Sequence, residues 1–432
     1  MKTRIVFQYL LAAAVFLAAG QQKASAQPES SFTELISIGY DGSPANGQSE
    51  NPVISPDGRY VAFASEASNL VYGDVNSKKD IFLYDRLSKI TELVSVSSDG
   101  TQGNGDSWDP TISADGHYVA YTSEANNLVK NDTNINCQEA DLFWGPRLMP
   151  LCWDIFVRDL ISTETQRVSV SSAGTQGNGN AWWPKISADG RLVAFTSSSN
   201  NLASGDSGNS VDAFVHDRVT GTTERIGANN YADSLSSDGR FVLVQSSREY
   251  APMIYVYDRQ SGTNEEVRIL PPDFPHSNID SSWGIAFSSD ARYVFFEHCF
   301  WKSCSLYLRD RQAGITEFLP AGGMGIVGAS ISQEARFVAW GVWSMTPTND
   351  VFVYDRLTGV TELINVALDG SRANDKSSQP SVSAGGMFVA FSSDASNLVA
   401  GDTNGKRDIF VVDRRTRIFH AAWRLYLPVV AR

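Results

Sequence analysis

Two segments at opposite ends of the chain read Asp74-x-Asn76-x-x-x-Asp80 and Asp402-x-Asn404-x-x-x-Asp408. Oxygen donors at alternate positions of a tight loop suit calcium, a hard cation that takes about six to eight oxygens. A third copy starts with Asp132 and Asn134 and runs through an insertion to Asp154. A fourth has Asp206 and Asp212, with Gly208 where the Asn stands elsewhere. None carries the EF-hand pattern with its terminal Glu. Asp and Asn so spaced also cap turns by bonding to their own backbone. Both readings stand from the residues alone. One pattern favours calcium: the string occurs in four successive repeats and is lost in the other three. Aligned Asn46, Asn104, Asn178 and Asn374 lie in neighbouring loops, where they complete the coordination or serve as turn residues.

The second candidate chemistry is aromatic. Four residues before the end of a recurring strand stand Glu50, Trp108, Trp182, Tyr231, Trp283, Val327 and Ser378. Trp183 adjoins them. Aromatic faces stack on sugar C–H surfaces, and an indole N–H adds a polar handle. Glu50, Trp108, Trp182, Trp183, Tyr231 and Trp283 are therefore the expected ligand-binding residues. The competing reading packs the rings between structural units, since large aromatics are mostly buried.

Other features carry less. His276, Glu297 and His298 fall near one another and could make a small metal or acid–base site. Gly323-x-Gly325-x-x-Gly328 has the letters of a dinucleotide loop, but no helix follows it. No GxSxG or HExxH motif occurs. Cys137 with Cys152, and Cys299 with Cys304, form two local pairs, expected as disulfides in an exported protein.

The elements that position these residues come from a repeat. ISPDGRYVAF at 54 recurs as ISADGHYVAY at 112, ISADGRLVAF at 186, LSSDGRFVLV at 235, FSSDARYVFF at 287, ISQEARFVAW at 331 and VSAGGMFVAF at 382. Each copy is a short strand, a tight turn and an apolar strand. Pro presets the turn and Gly accepts positive φ at its end. A third strand follows, ending at Asp85, Asp159, Asp217, Asp258, Asp310, Asp355 or Asp413, which are read as turn residues with no site role. A fourth strand such as TELVSVS completes the unit. Four antiparallel strands per unit give a blade, and blades that bury both faces close into a ring. The expectation is an all-β fold, a seven-bladed β-propeller of four-stranded antiparallel blades.

The SPDG turn with its apolar strand resembles the TolB-type, WD-repeat-like propeller repeat of exported bacterial proteins. The resemblance spans about residues 32 to 416. It implies the propeller fold, while such propellers serve both as binding scaffolds and as enzymes. The TolB ring has six blades and this chain counts seven. Blade 7 shows three strands, so the strand at 33–38 is expected to close it. The rival is a strand from 417–423.

With strands lettered a to d from the channel outward, the b–c and d–a loops share one face. They hold most of the length variation and eight of the ten Trp residues, which makes that the binding face.

Residues 1–26 read as a secretory signal peptide: a basic start, an apolar run and an Ala-x-Ala end. The propeller is expected over 27–416, with a C-terminal tail at 417–432. Net charge is −13, and removing Lys2, Arg4 and Lys23 takes it to −16. Such acidity argues against nucleic acid, and no later stretch is apolar enough to insert in a membrane. The expected protein is a monomeric ring, periplasmic, cell-surface or extracellular. Its expected role is non-enzymatic recognition of carbohydrate or protein, with calcium stiffening the loops. The alternative is a metal-assisted lyase or hydrolase at the channel mouth, and a third possibility is a structural envelope protein.

Overall fold

The computed structural model describes residues 33–139, 147–206, 210–246, 253–267, 280–300, 303–320, 325–343 and 348–415. Residues 1–26, expected as a signal peptide, the tail expected at 417–432, Trp144, Trp301 and His276 lie outside them. So do the side chains of Trp283 and Cys299.

The described residues form strands, turns and loops, with no helix. Seven antiparallel four-stranded sheets make a seven-bladed β-propeller. Blade 1 is typical: Ser49–Ile54, Tyr60–Ser65, Asp80–Asp85 and Ile90–Leu93 are its strands a to d. Blade 7 takes Ser377–Val382, Phe388–Ser393 and Asp408–Asp413 from one end of the chain. Its outer strand is Thr33–Leu35 from the other end, with Glu34 opposite Val411. The pairing covers two edges that would otherwise be open. In blade 2 the b–c excursion forms a ribbon, Ile135–Glu139 against Arg147–Leu151, stapled by a Cys137–Cys152 disulfide.

The repeat letters now have partners. In the blade 1 turn, Ser55 Oγ donates to Asp57 Oδ1, which also accepts the Arg59 N–H at 3.0 Å. Gly58 sits at φ +76°, and a Cβ there would lie 2.1 Å from the Phe388 ring of blade 7. Both facts demand glycine. Arg59 then grips Asp85, the last residue of strand c, through two bonds of 3.0 and 2.7 Å. Asp217, Asp258, Asp310 and Asp355 are gripped the same way by Arg191, Arg240, Arg292 and Arg336. The guanidinium holds the Asp85, Asp217, Asp258 and Asp310 carboxyls far below the usual carboxylate range.

The next Arg stitches blade to blade. Arg86 bonds the Gly58 carbonyl at 2.6 Å, stacks on Phe388 at 4.3 Å and pairs with Glu34 of the preceding blade. Arg311, Arg356 and Arg414 repeat this with Glu265, Glu317 and Glu362, and Arg259 pairs with Glu224 without a ring to stack on, since Leu192 stands there. Blade 2 has Leu160 instead, packed among apolar residues with Tyr60. Stacked rings of strands b and c, such as Phe63 on Phe82 and Phe391 on Phe410, fill the core. Each fully buried ring contributes roughly 1.5–3 kcal/mol.

Candidate functional site

Five aromatic rings form a continuous arc on the b–c/d–a face of blades 2 to 4. Trp108 meets Trp153 at 5.2 Å, Trp153 meets Trp182 at 6.4 Å, and Trp182 meets Trp183 at 6.2 Å, all edge to face. Trp183 meets Tyr231 at 5.9 Å. Trp183 is 45% exposed, whereas Tyr231 is only 7% exposed. A bulge in strand a accounts for this presentation. The ladder slips between Trp182 and Lys185, and Trp183 takes φ +57°. A bulge re-aims the side chain it carries.

Of the expected rim residues, the structure joins Trp108, Trp182, Trp183 and Tyr231. Glu50 instead pairs with Lys79 at 2.5 Å. Trp153 supplies the missing link. It follows Cys152, donates its backbone N–H to Asn180 Oδ1 at 3.0 Å, and leaves its indole N–H buried without a partner. Its place beside a stapled loop was the available sequence signal.

Beside the arc, the channel carries a polar group that the repeat alignment missed. Asn51 Nδ2 donates to Asp109 Oδ1 at 2.9 Å, and the Asn51 N–H donates to Gln379 Oε1 at 3.0 Å. Lys185 lies within electrostatic range of Asp109 and Asp233. Burial raises Asp109 to about 6 and Asp233 to about 8, with Lys185 pulling both back. Burial lowers Lys185. Asp233 Oδ2 and the Tyr231 hydroxyl are buried without partners, and burial pushes the hydroxyl up to about 12. Asp109 and Asp233 lie at the strand-a bulges of blades 2 and 4: Asp109 stands where blades 1, 3 and 7 carry Asn51, Trp183 and Gln379, and Asp233 where blades 1, 2, 3 and 7 carry proline.

The Asp loops divide into two kinds. In blade 1, Asn76 Oδ1 accepts the Lys78 N–H at 2.9 Å. Its amide donates to Asp80 Oδ2 at 2.7 Å and to the Gly103 carbonyl of the next d–a loop at 3.0 Å. Asn404 does the same with Asp408 and Ala45. As oriented, both Asn residues support the loop and donate to the carboxylate. The carboxylates themselves are sheltered: Asp74 is 8% and Asp402 7% exposed. Burial raises Asp80 to about 7 and Asp408 to about 6. Among the described residues, no basic side chain pairs with these four.

Blades 2 and 3 differ at one strand-d position. Arg167 reaches Asp132 at 2.8 Å and Asp154 at 3.5 Å, and Arg225 reaches Asp212 at 2.6 Å and Asp206 at 3.4 Å. Register places Leu93 of blade 1 and Leu35 of blade 7 at this same position. In blade 6, Arg372 neutralises Asp350 at 2.6 Å from the d–a loop. Among the described residues, no group of three or more His, Cys, Asp or Glu side chains converges as a metal cage.

The aligned d–a Asn residues clasp loops. Asn46 donates its N–H to Asn69 Oδ1 at 2.9 Å and accepts the Ser68 N–H at 2.8 Å. Asn104, Asn178 and Asn374 repeat the clasp with Asn127, Asn201 and Asn397. Gly47 permits it, since a Cβ there would lie 2.4 Å from the Glu66 backbone.

Cys304 is disulfide-bonded and faces Cys299 across strands b and c of blade 5. Burial raises Glu297 to about 7, and the His298 ring lies edge-on to Tyr307 at 6.3 Å.

No family model matches the chain, and no curated protein does. Solved structures match in fold. Oligogalacturonate lyase from Vibrio parahaemolyticus superposes with a TM-score of 0.55 at 14% identity, covering 88% of this chain and 96% of that one. An oligogalacturonate lyase in complex with manganese gives 0.55 at 12% identity, over 88% and 92%. The β-propeller domain of the Trilobed protease from Pyrococcus furiosus gives 0.52 at 12% identity, over 89% and 98%. TolB from Acinetobacter baumannii, at 0.40, 14% identity and coverage of 85% and 78%, is too distant to carry an argument. At these identities the likeness is one of fold alone: the chain is a seven-bladed β-propeller with structural neighbours of several activities.

Proposed function

We propose that this protein is an exported, monomeric binding propeller that recognises carbohydrate through the arc from Trp108 to Tyr231. The observation that carries the reading is the arc itself. Five contiguous rings include a half-exposed indole, Trp183, next to Tyr231 with its buried hydroxyl without a partner. Ring faces take the apolar side of a sugar, and the polar groups take its hydroxyls. Export is supported by the Cys137–Cys152 disulfide, a bond that persists in oxidising compartments.

A divalent cation belongs to the same proposal. Buried carboxylates need a counter-charge. In blades 2, 3 and 6 an arginine supplies it, and in blades 7 and 1 leucine stands at the strand-d position. Calcium would take that place between Asp74 and Asp80 and between Asp402 and Asp408. Two carboxylates fit a hard cation, with loop carbonyls and water making up the roughly six to eight oxygens. A lyase known with manganese on a similar ring is consistent with a divalent ion, without specifying calcium.

A second reading is enzymatic: a lyase or hydrolase at the channel mouth. What favours it is the pair Asp109 and Asp233, raised to different extents and both in the field of Lys185. Two such carboxyls can divide acid and base roles.

The test is a glycan-array screen of residues 27–432, run with calcium and with chelator. Binding to one glycan class is expected, weaker in chelator, with a melting temperature that chelator lowers. No binding in either buffer contradicts the carbohydrate reading and points to a protein partner. An unchanged melting temperature in chelator contradicts the calcium. Turnover of the bound glycan would favour the enzyme.

A further inference from the structure

We propose that the arc seats a neutral, hydroxyl-rich sugar ring, with Trp183 as its platform and Tyr231, Asp233, Lys185 and Asp109 as its hydrogen-bonding floor. The inference deepens the carbohydrate reading and rests on it.

Three observations carry it. First, the Tyr231 hydroxyl has no partner although its side chain is more than nine-tenths buried, and Asp233 Oδ2 is likewise buried and unpartnered. An unpaired buried polar group costs about 1–3 kcal/mol, so each calls for a partner from outside the fold. Second, Lys185 sits in the field of Asp109 and Asp233, yet among the described residues no carboxylate comes close enough to pair with it. Third, the Tyr231 ring meets the Trp183 ring at 5.9 Å, and Trp183 is half exposed.

The charges then select the ligand. Asp109 and Lys185 are of opposite sign and Asp233 holds its proton at neutral pH, so the floor offers an anionic sugar no net attraction. A cationic ligand would meet Lys185. A hydroxyl both donates and accepts, so vicinal hydroxyls can give to the carboxylates while accepting from Lys185 and Tyr231. The ring's C–H face then lies on Trp183.

The test is titration calorimetry of the mature protein with cellohexaose, xylohexaose, mannohexaose and galactohexaose, and with hexagalacturonate as the charged counterpart. Wild type, Tyr231→Phe and Lys185→Met are compared, with melting temperatures taken in parallel. One neutral hexasaccharide is expected to bind best. Tyr231→Phe should weaken it roughly three- to tenfold without lowering the melting temperature, because the hydroxyl has no partner inside the fold to lose. Lys185→Met should weaken it as well. Tighter binding of hexagalacturonate than of every neutral sugar would overturn the neutral ligand and leave carbohydrate binding intact. Wild-type affinity in Tyr231→Phe would overturn the floor. If no glycan of either charge binds, the carbohydrate reading fails and this proposal fails with it.

Discussion

Arg167→Leu is expected to destabilise the protein by about 3–5 kcal/mol, the usual cost of removing one partner from a buried charge cluster. Asp132 and Asp154 share this guanidinium, and all three side chains are almost fully sheltered. The substitution writes the blade 1 residue, Leu93, into blade 2. If blade 1 relies on a bound cation where blade 2 relies on Arg167, the variant should become more calcium-dependent than the wild type. Millimolar calcium should recover part of the lost stability. The reciprocal Leu93→Arg should reduce the effect of chelator. Urea unfolding of both variants, with and without calcium, checks this. A loss in Arg167→Leu that calcium leaves untouched would mean that the two loops are not interchangeable, and the counter-charge argument would fall.

The second large effect is expected at Asp233. Its folded carboxyl titrates at about 8, against 3.8 for the ordinary group, because burial disfavours the charged form. Below about pH 4 both folded and unfolded chains carry the proton, and the site costs nothing. Between about 4 and 8 the folded chain holds a proton that the unfolded chain releases. Stability therefore falls as pH rises through this window, and the full penalty applies above it. Lys185 and the Tyr231 hydroxyl are the charged and titratable groups in its field. Asp233→Asn keeps the shape and removes the proton. The variant should gain at least about 1 kcal/mol over wild type at pH 8.5, by the linkage of pKa to free energy, and lose that advantage at pH 4. Paired melting curves at the two pH values suffice. An advantage independent of pH would show that the carboxyl is not buried as described.

The ring was readable from the repeat because its physics recurs. Ser55, Asp57 and Gly58 form one turn, and Asp85 with Arg86 end one strand, in copies that differ little. What Arg86 does was not readable, since its partner Glu34, 52 residues upstream, lies on the strand that completes a different blade. The arc was half readable. Trp108, Trp182 and Tyr231 align, but Trp153 stands just before strand c, where blades 1 and 7 carry Lys79 and Arg407, so no shared residue type marks it. Asp109 escaped because its bulge position holds Asn51, Trp183 and Gln379 in other blades, and Asp233 because it stands where blades 1, 2, 3 and 7 carry proline, so alignment averages the chemistry away.

The Asp loops teach the opposite lesson. Their restriction to blades 7, 1, 2 and 3 favoured calcium from the residues alone. The Asn46-type clasp occurs in the same four blades and accounts for that restriction by loop architecture. The argument for a cation now rests on Leu93 and Leu35, residues that look like ordinary core. Arg167 and Arg225 lie on strand d, 13 positions after Asp154 and Asp212 respectively. No local motif links them.

The account stands most directly on Trp183. The measurement is the affinity of wild type and Trp183→Ala for the best glycan from the array, with melting temperatures alongside. The ring is half exposed, so its removal should cost little stability. Loss of a stacking platform should weaken binding by roughly ten- to a hundredfold. Equal affinity in the two proteins would contradict the arc as the binding site.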